Sequence, residues 1–353
     1  MGTKITGVGS YIPTGVARND QFEKHNFFTE DGKNFAHENT VIIEKFKAIT
    51  GISERRYIKE EYNTSDIAFF AAEKAIENAG IDRETLDYII VANNYGDVKY
   101  GSHQSDNVPS IASRVKHLLK IKNPNCVGYD LMFGCPGWVE AMITAHAYIK
   151  SGMATKCLVI GAEALSRVVD QHDRDSMIYS DGAGATVVEA TNDDSAGFLA
   201  HKSVTFAYDE AHFIYFGESN NQELTDARRY IKMYGRKIYN FALSNVPEAM
   251  KDCMEKSGVP ITDLKKVFIH QANEKMDEAI INRFYKLYDM EAPEGVMPMT
   301  IDKLGNSSVA TVPTLYDLVL NNKLEGHSIS KGDVVMFASV GAGMNINAIV
   351  YKV

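Results

Sequence analysis

Cysteine is scarce in this chain. The four thiols in 353 residues, Cys126, Cys135, Cys157 and Cys253, include no close pair. That spacing offers neither a disulfide framework nor a zinc site, and a reducing, cytoplasmic setting is the simple expectation. Net positive charge is lacking too. Acidic side chains number 46 against 37 basic ones, a formal charge of -9, which argues against nucleic acid as the main partner but leaves room for a local basic patch that receives an acidic one. No apolar run approaches the ~20 residues of a membrane span, and no charged segment backed by an apolar stretch opens the chain, so neither a membrane nor a secreted protein is expected. Met1-Gly2-Thr3-Lys4-Ile5-Thr6 fits the N-myristoylation pattern, yet Lys4 to Tyr11 reads better as a first strand stopped at Pro13. What remains is a 45% hydrophobic, 24% charged composition, that of a globular chain long enough for two domains or one duplicated unit.

Strand-length apolar runs at Tyr88 to Ala92, Cys126 to Leu131, Cys157 to Ile160 and Thr186 to Glu189 alternate with helical patterns near Ser65 to Ala79, Pro109 to Leu119 and Gly137 to Ser151. Such alternation predicts parallel sheets with helices on both faces. The second half repeats the grammar: helices near Gly235 to Ser257, Glu274 to Leu287 and Ser308 to Leu320, and strands at Val267 to Ile269, Val334 to Ala338 and Ile346 to Tyr351. Each half closes on a Gly-rich turn feeding a last strand, Asp181 to Val187 and Val340 to Ile346, which reads as a duplication. Neither turn is a dinucleotide site, because both lack the third glycine and run into a strand instead of a helix. Close approach between strands is the expected use of these glycines. Lys24 to Asn39 and Tyr208 to Asp226 read as surface loops.

One thiol stands apart. In Phe133-Gly134-Cys135-Pro136-Gly137-Trp138 a strand ends, a turn follows and an almost wholly apolar helix begins, with Pro136 suited to its first position. A cysteine at a helix N-terminus meets free N–H groups and the positive end of the dipole, which favour the nucleophilic thiolate. The apolar character of the helix predicts that it is buried. His270 ends the strand Lys266 to Ile269 and precedes an amphipathic helix, at the strand edge where open α/β sheets place their sites. Asn306, in Leu304-Gly305-Asn306-Ser307-Ser308, lies just before another helix, where asparagine is also an ordinary cap.

Taken together, these segments resemble the thiolase superfamily, and within it β-ketoacyl-acyl-carrier-protein synthase III. The resemblance spans the chain: Gly7-Val8-Gly9-Ser10-Tyr11-Ile12-Pro13, Thr50-Gly51-Ile52-Ser53-Glu54-Arg55, Phe133-Gly134-Cys135, Ser180-Asp181-Gly182-Ala183-Gly184-Ala185, His270-Gln271-Ala272-Asn273, Gly305-Asn306-Ser307-Ser308 and Gly341-Ala342-Gly343. It implies a five-layered αβαβα fold of two similar α/β halves, 1–195 carrying the nucleophile and 196–353 carrying the histidine and asparagine. It also implies a homodimer and a Cys135, His270 and Asn306 site. In that chemistry Cys135 takes an acyl group from a thioester, the Cys135 N–H and the Gly341 to Met344 turn hold the oxyanion, and His270 and Asn306 steady the enolate left when a malonyl thioester loses carbon dioxide. No metal, nucleotide or redox cofactor is required. An acyl carrier protein is the implied partner, and Val108, Asn273, Lys275 and Gly343 are the implied substrate contacts.

Departures from the family pattern narrow the expectation. The tryptophan and arginine that clamp the adenine of coenzyme A fall on Lys45 and Ile49, which have neither ring nor fork for the task. Lys275 stands where an arginine is common, Pro136 where a small residue is common, and Val108 where a bulky aromatic reaches across the dimer to close the acyl pocket. A medium or longer acyl primer on a carrier protein is the expectation that follows, received by a basic face of Lys275, Arg283 and Lys286. Papain-like proteases share the order Cys, His, Asn, but the repeated strand-helix grammar and both Gly-rich closures argue against them. Chalcone-synthase-like and head-to-head condensing enzymes share triad and fold, and a silent partner subunit has no need to keep the nucleophile.

Overall fold

The computed structural model describes residues 2–193, 196–225 and 227–353. The start of the myristoylation-like hexapeptide, the boundary at 195 and the end of the 208–226 loop lie outside the described residues. In chain order the elements are β1 (Gly2–Tyr11), β2 (Gly15–Arg18), α1 (Asn39–Thr50), β3 (Glu54–Tyr57), α2 (Thr64–Ala79), β4 (Tyr88–Ala92), α3 (Ile111–Leu118), β5 (Val127–Leu131), α4 (Gly137–Lys150), β6 (Lys156–Ala164) and β7 (Asp181–Thr191). Then follow β8 (Gly197–Thr205), β9 (Ile214–Gly217), β10 (Tyr230–Met233), α5 (Gly235–Ser257), β11 (Leu264–Ile269), α6 (Glu274–Lys286), α7 (Ile301–Leu304), α8 (Thr311–Leu320), β12 (Val334–Gly341) and β13 (Asn345–Lys352).

Two sheets carry the same plan. One has the order β1-β7-β6-β4-β5 and the other β8-β13-β12-β11, so the two correspond in strand order except for the edge β5. The pairing senses also agree: β1 with β7 and β8 with β13 antiparallel, β7 with β6 and β13 with β12 antiparallel, β6 with β4 and β12 with β11 parallel. The sheets are therefore mixed, not parallel as the alternation predicts. Between β12 and β13 the short 342–344 turn allows only an antiparallel return, and the longer link from β6 to β7 carries 3-10 turns but no α-helix of the kind that makes a parallel crossover.

Five layers follow from where the apolar faces go. The α4 and α8 helices lie between the sheets, where Trp138, Met142, Leu315 and Tyr316 meet Val159 of one sheet and Phe268, Phe337 and Ile349 of the other. A helix packed on both sides needs an apolar surface all round, which accounts for the composition of α4. α2 and α3 cover the outside of the first sheet, and α5 and α6 the outside of the second. Strands covered on both faces read as unbroken apolar runs, as β4 and β12 do.

Two further expectations are corrected. Gly182 and Gly184 lie inside β7, not in a turn; a Cβ on Gly184 would stand 2.6 Å from Cβ of Pro313, so glycine is there to let α8 lie against the strand. The second Gly-rich segment is a true turn, with Ala342 to Met344 joining β12 to β13. The 208–226 segment contains β9, paired antiparallel with β10, its strand character masked by the polar residues around it. Among the described residues no helix is long and apolar enough to cross a membrane.

Candidate active site

Cys135 follows β5 and precedes α4. Gly134 before it takes φ +72°, a left-handed value that glycine adopts without strain, and the Gly137 N–H closes the turn onto the Gly134 carbonyl at 2.9 Å. Pro136 caps the helix one residue ahead of its expected place. The turn is pressed against the β12–β13 connection. A Cβ on Gly341 would come within 2.7 Å of the Cys135 nitrogen, so only glycine permits this approach.

Residues from both halves line one narrow cavity of about 80 Å³: Cys135, His270 and Asn306 together with Ser308, Asn94 and the Gly341–Ala342 backbone. His270 leaves the end of β11, its own N–H donating to Ala338 at 2.9 Å. Asn306 follows α7, and its Oδ1 accepts the Ser308 N–H at 2.8 Å, which leaves the Nδ2 end of the carboxamide for a ligand. The Ser308 hydroxyl lies 3.4 Å from Cys135 Sγ. Apolar side chains complete the wall, with Leu165, Met276 and the β9–β10 residues Ile214, Ile231 and Met233.

Burial sets the protonation states. It pushes the Cys135 thiol up to about 11, against the Ser308 hydrogen bond and that of its own backbone N–H. The thiolate expected from the helix N-terminus is thus not the resting form. The thiol's half-exposed area faces the cavity, not bulk water, and the charge would be poorly solvated. His270 is pushed down to about 4 by burial, against a hydrogen bond to the Ser308 backbone, and is a neutral imidazole at neutral pH. Its Nδ1 meets no protein partner.

Other expected contacts lie off this cavity. The Asn273 side chain accepts the Met276 N–H at 3.1 Å as the cap of α6, so it is committed to the helix. Lys275 is exposed on α6, and Gly343, with φ +134°, belongs to the turn behind the lining residues. Val108 is 85% exposed and does not line the cavity of its own protomer. Lys45 and Ile49 share the exposed face of α1, four residues apart. Sequence reasoning missed Asn94, Ser308 and Glu163. Glu163 carried a signal, a carboxylate at the end of the otherwise apolar run Cys157 to Ala164. Among the described residues no group of three or more His, Cys, Asp or Glu could hold a metal ion.

A five-layered molecule of two matching halves, with a cysteine turn at their junction facing a histidine and an asparagine, has the architecture of thiolase-fold condensing enzymes. Residues 129–205 match the family model for 3-oxoacyl-[acyl-carrier-protein] synthase III, and residues 254–353 that for its C-terminal part. A β-ketoacyl-[acyl-carrier-protein] synthase III of Vibrio vulnificus is 34% identical over 97% of this chain and 97% of its own. One from Prochlorococcus marinus is 31% identical over 100% of this chain and 97% of its own. The crystal structure of 3-oxoacyl-[acyl-carrier-protein] synthase III from Aquifex aeolicus superposes with a TM-score of 0.80 at 30% identity, covering both chains in full. The chain belongs to the β-ketoacyl-[acyl-carrier-protein] synthase III family, acyltransferases that form carbon-carbon bonds.

Proposed function

We propose that Cys135 is the acyl-accepting nucleophile of a decarboxylative condensation, with His270 and Asn306 as the enolate's hydrogen-bond donors. The Cys135 sulfur bonds to the acyl carbonyl carbon of a primer thioester while the carrier thiol leaves with the proton. Because the resting thiol is neutral, that proton moves as the attack proceeds. Backbone N–H groups of Cys135 and the 341–344 turn take the oxyanion. A malonyl thioester then enters and its carboxylate leaves as carbon dioxide, the electron pair passing into the enolate. The free Nδ2 of Asn306 suits the enolate oxygen, as does the neutral ring of His270 once its single N–H turns from the Ser308 backbone to the substrate, because neither carries a charge that would need solvent. The enolate carbon attacks acyl-Cys135, the new carbon-carbon bond forms, and the sulfur departs and regains a proton.

The observation that carries this reading is the convergence of the three side chains on one cavity against the Gly341 backbone. In it, residues 1–195 supply the nucleophile and 196–353 the two donors. The molecule works as a homodimer in the cytoplasm, and an acyl carrier protein delivers the substrates to the α6 face of Lys275, Arg283 and Lys286. Part of that face is already engaged, since Arg283 donates to the Leu243 carbonyl at 2.9 Å. The cavity of about 80 Å³ is bounded on one side by the apolar Ile214, Ile231 and Met233 of β9 and β10, the wall against which a medium or longer primer would lie. The experiment is to separate the half-reactions. His270→Ala and Asn306→Ala should each slow malonyl decarboxylation by about 10² to 10³ while acyl transfer to Cys135 survives. Equal loss of both half-reactions would make His270 the activator of the thiol instead.

A further inference from the structure

Glu163, at the end of β6, is 1% exposed, yet its carboxylate is met by neutral donors only. Its Oε2 accepts the Asn94 backbone N–H at 2.9 Å and the Asn94 side-chain Nδ2 at 2.6 Å, and the Tyr95 N–H also turns toward it. Oε1 has no partner. On its other side the Asn94 carboxamide accepts the Gly134 N–H through Oδ1 at 2.9 Å, one residue before Cys135. A carboxamide can present either end, and a flipped one would set a donor against the Gly134 donor. Because Oε2 of Glu163 already accepts the Asn94 backbone N–H, it presents an acceptor to the carboxamide and disfavours the flip.

We propose that Glu163 is a positioning residue for Cys135, holding Asn94 in the one orientation that fixes the Gly134 turn. The proposal rests on Cys135 being the acylated residue. Burial pushes Glu163 up to about 8 and Cys135 to about 11, so in the range where the thiol ionises Glu163 is a carboxylate whose charge opposes that ionisation. One residue thus governs where the thiol sits and how readily it ionises. A carboxyl that only filled space at the sheet edge would do neither.

The test uses Glu163→Ala, Asn94→Ala, the double variant and Glu163→Gln, each with its melting temperature, its acyl transfer rate and the pH dependence of Cys135 alkylation by iodoacetamide. Glu163→Ala and Asn94→Ala should each slow acyl transfer about tenfold or more, the double variant no further than the slower single. Glu163→Gln keeps an acceptor for Nδ2, so transfer should stay within about threefold of wild type. Its alkylation midpoint should fall, because the opposing charge is gone. Additive losses, wild-type transfer in Glu163→Ala, or an unmoved midpoint in Glu163→Gln would overturn the proposal. Should Glu163→Ala fail to fold, Asn94→Ala and Glu163→Gln decide it: slow transfer in the first with a lowered midpoint in the second supports it, and the absence of either overturns it. If wild-type Cys135 accepts no acyl group, the reading of the site fails separately, and the midpoint still judges Glu163.

Discussion

At Cys135 two effects oppose each other. A helix N-terminus favours a thiolate by about 0.3–1 kcal/mol, whereas a rise from 9 to about 11 corresponds to a penalty on the order of 2–3 kcal/mol. Burial prevails, and the thiol should behave accordingly. Its alkylation by iodoacetamide should keep rising beyond pH 9, where a helix-activated thiolate would level off near neutrality. Cys126, Cys157 and Cys253 are buried and should react only when the protein unfolds. Asp277 makes a second residue-scale case. It is fully buried on α6, and although the Asn273 and Ala272 N–H groups face it, neither carboxylate oxygen finds a hydrogen-bond partner. Burial raises its folded pKa well above 3.8, so the unfolded chain releases that proton first, and stability falls as pH rises from about 4 toward the folded value. Asp277→Asn should remove that slope, with a melting temperature above wild type at pH 8 and a difference that shrinks toward pH 4.

At the scale of elements, the β9–β10 hairpin is held to the rest of the molecule by charge. Lys232, on β10 between the cavity residues Ile231 and Met233, donates to the buried Asp170 at 2.6 Å and Asn220 at 2.8 Å and to the partly exposed Asp173 at 3.0 Å. Despite its burial, Asp170 stays below the usual carboxylate range because Lys232 and backbone N–H groups bond to it. Lys232→Met would strand that carboxylate, and urea denaturation should record a loss of about 3–5 kcal/mol. Removing both charges, with Asp170→Asn added, should recover part of it. This hairpin was not legible in the sequence. Its strands are four residues each and lie amid Asn, Glu and Asp, and the lysine that anchors β10 reads locally as solvent-facing. The elements of the central layers were legible because burial on both faces left no polar stripe to obscure their length.

At the scale of the whole molecule, the duplication explains why the site is where it is. Each half ends on an antiparallel return, and the 341–344 return meets the cysteine turn of the other half through glycine backbone. The motifs around Cys135, His270 and Asn306 could be read because each sits at the end of an element, where sequence punctuation is strongest. The mixed pairing of the sheets could not, since strand-helix alternation hides where a crossover is missing. Nor could the link from Glu163 through Asn94 to Gly134, which joins residues up to 69 positions apart. The central claim is that Cys135 carries the acyl group between two thioesters. Incubation with an octanoyl carrier protein, followed by intact-mass and peptide mass spectrometry, tests it most directly. The account predicts one octanoyl group per chain, located on the Cys135 peptide, which malonyl carrier protein discharges as a 3-oxodecanoyl thioester. An unmodified Cys135, or an adduct on it that malonyl carrier protein leaves in place, would contradict it.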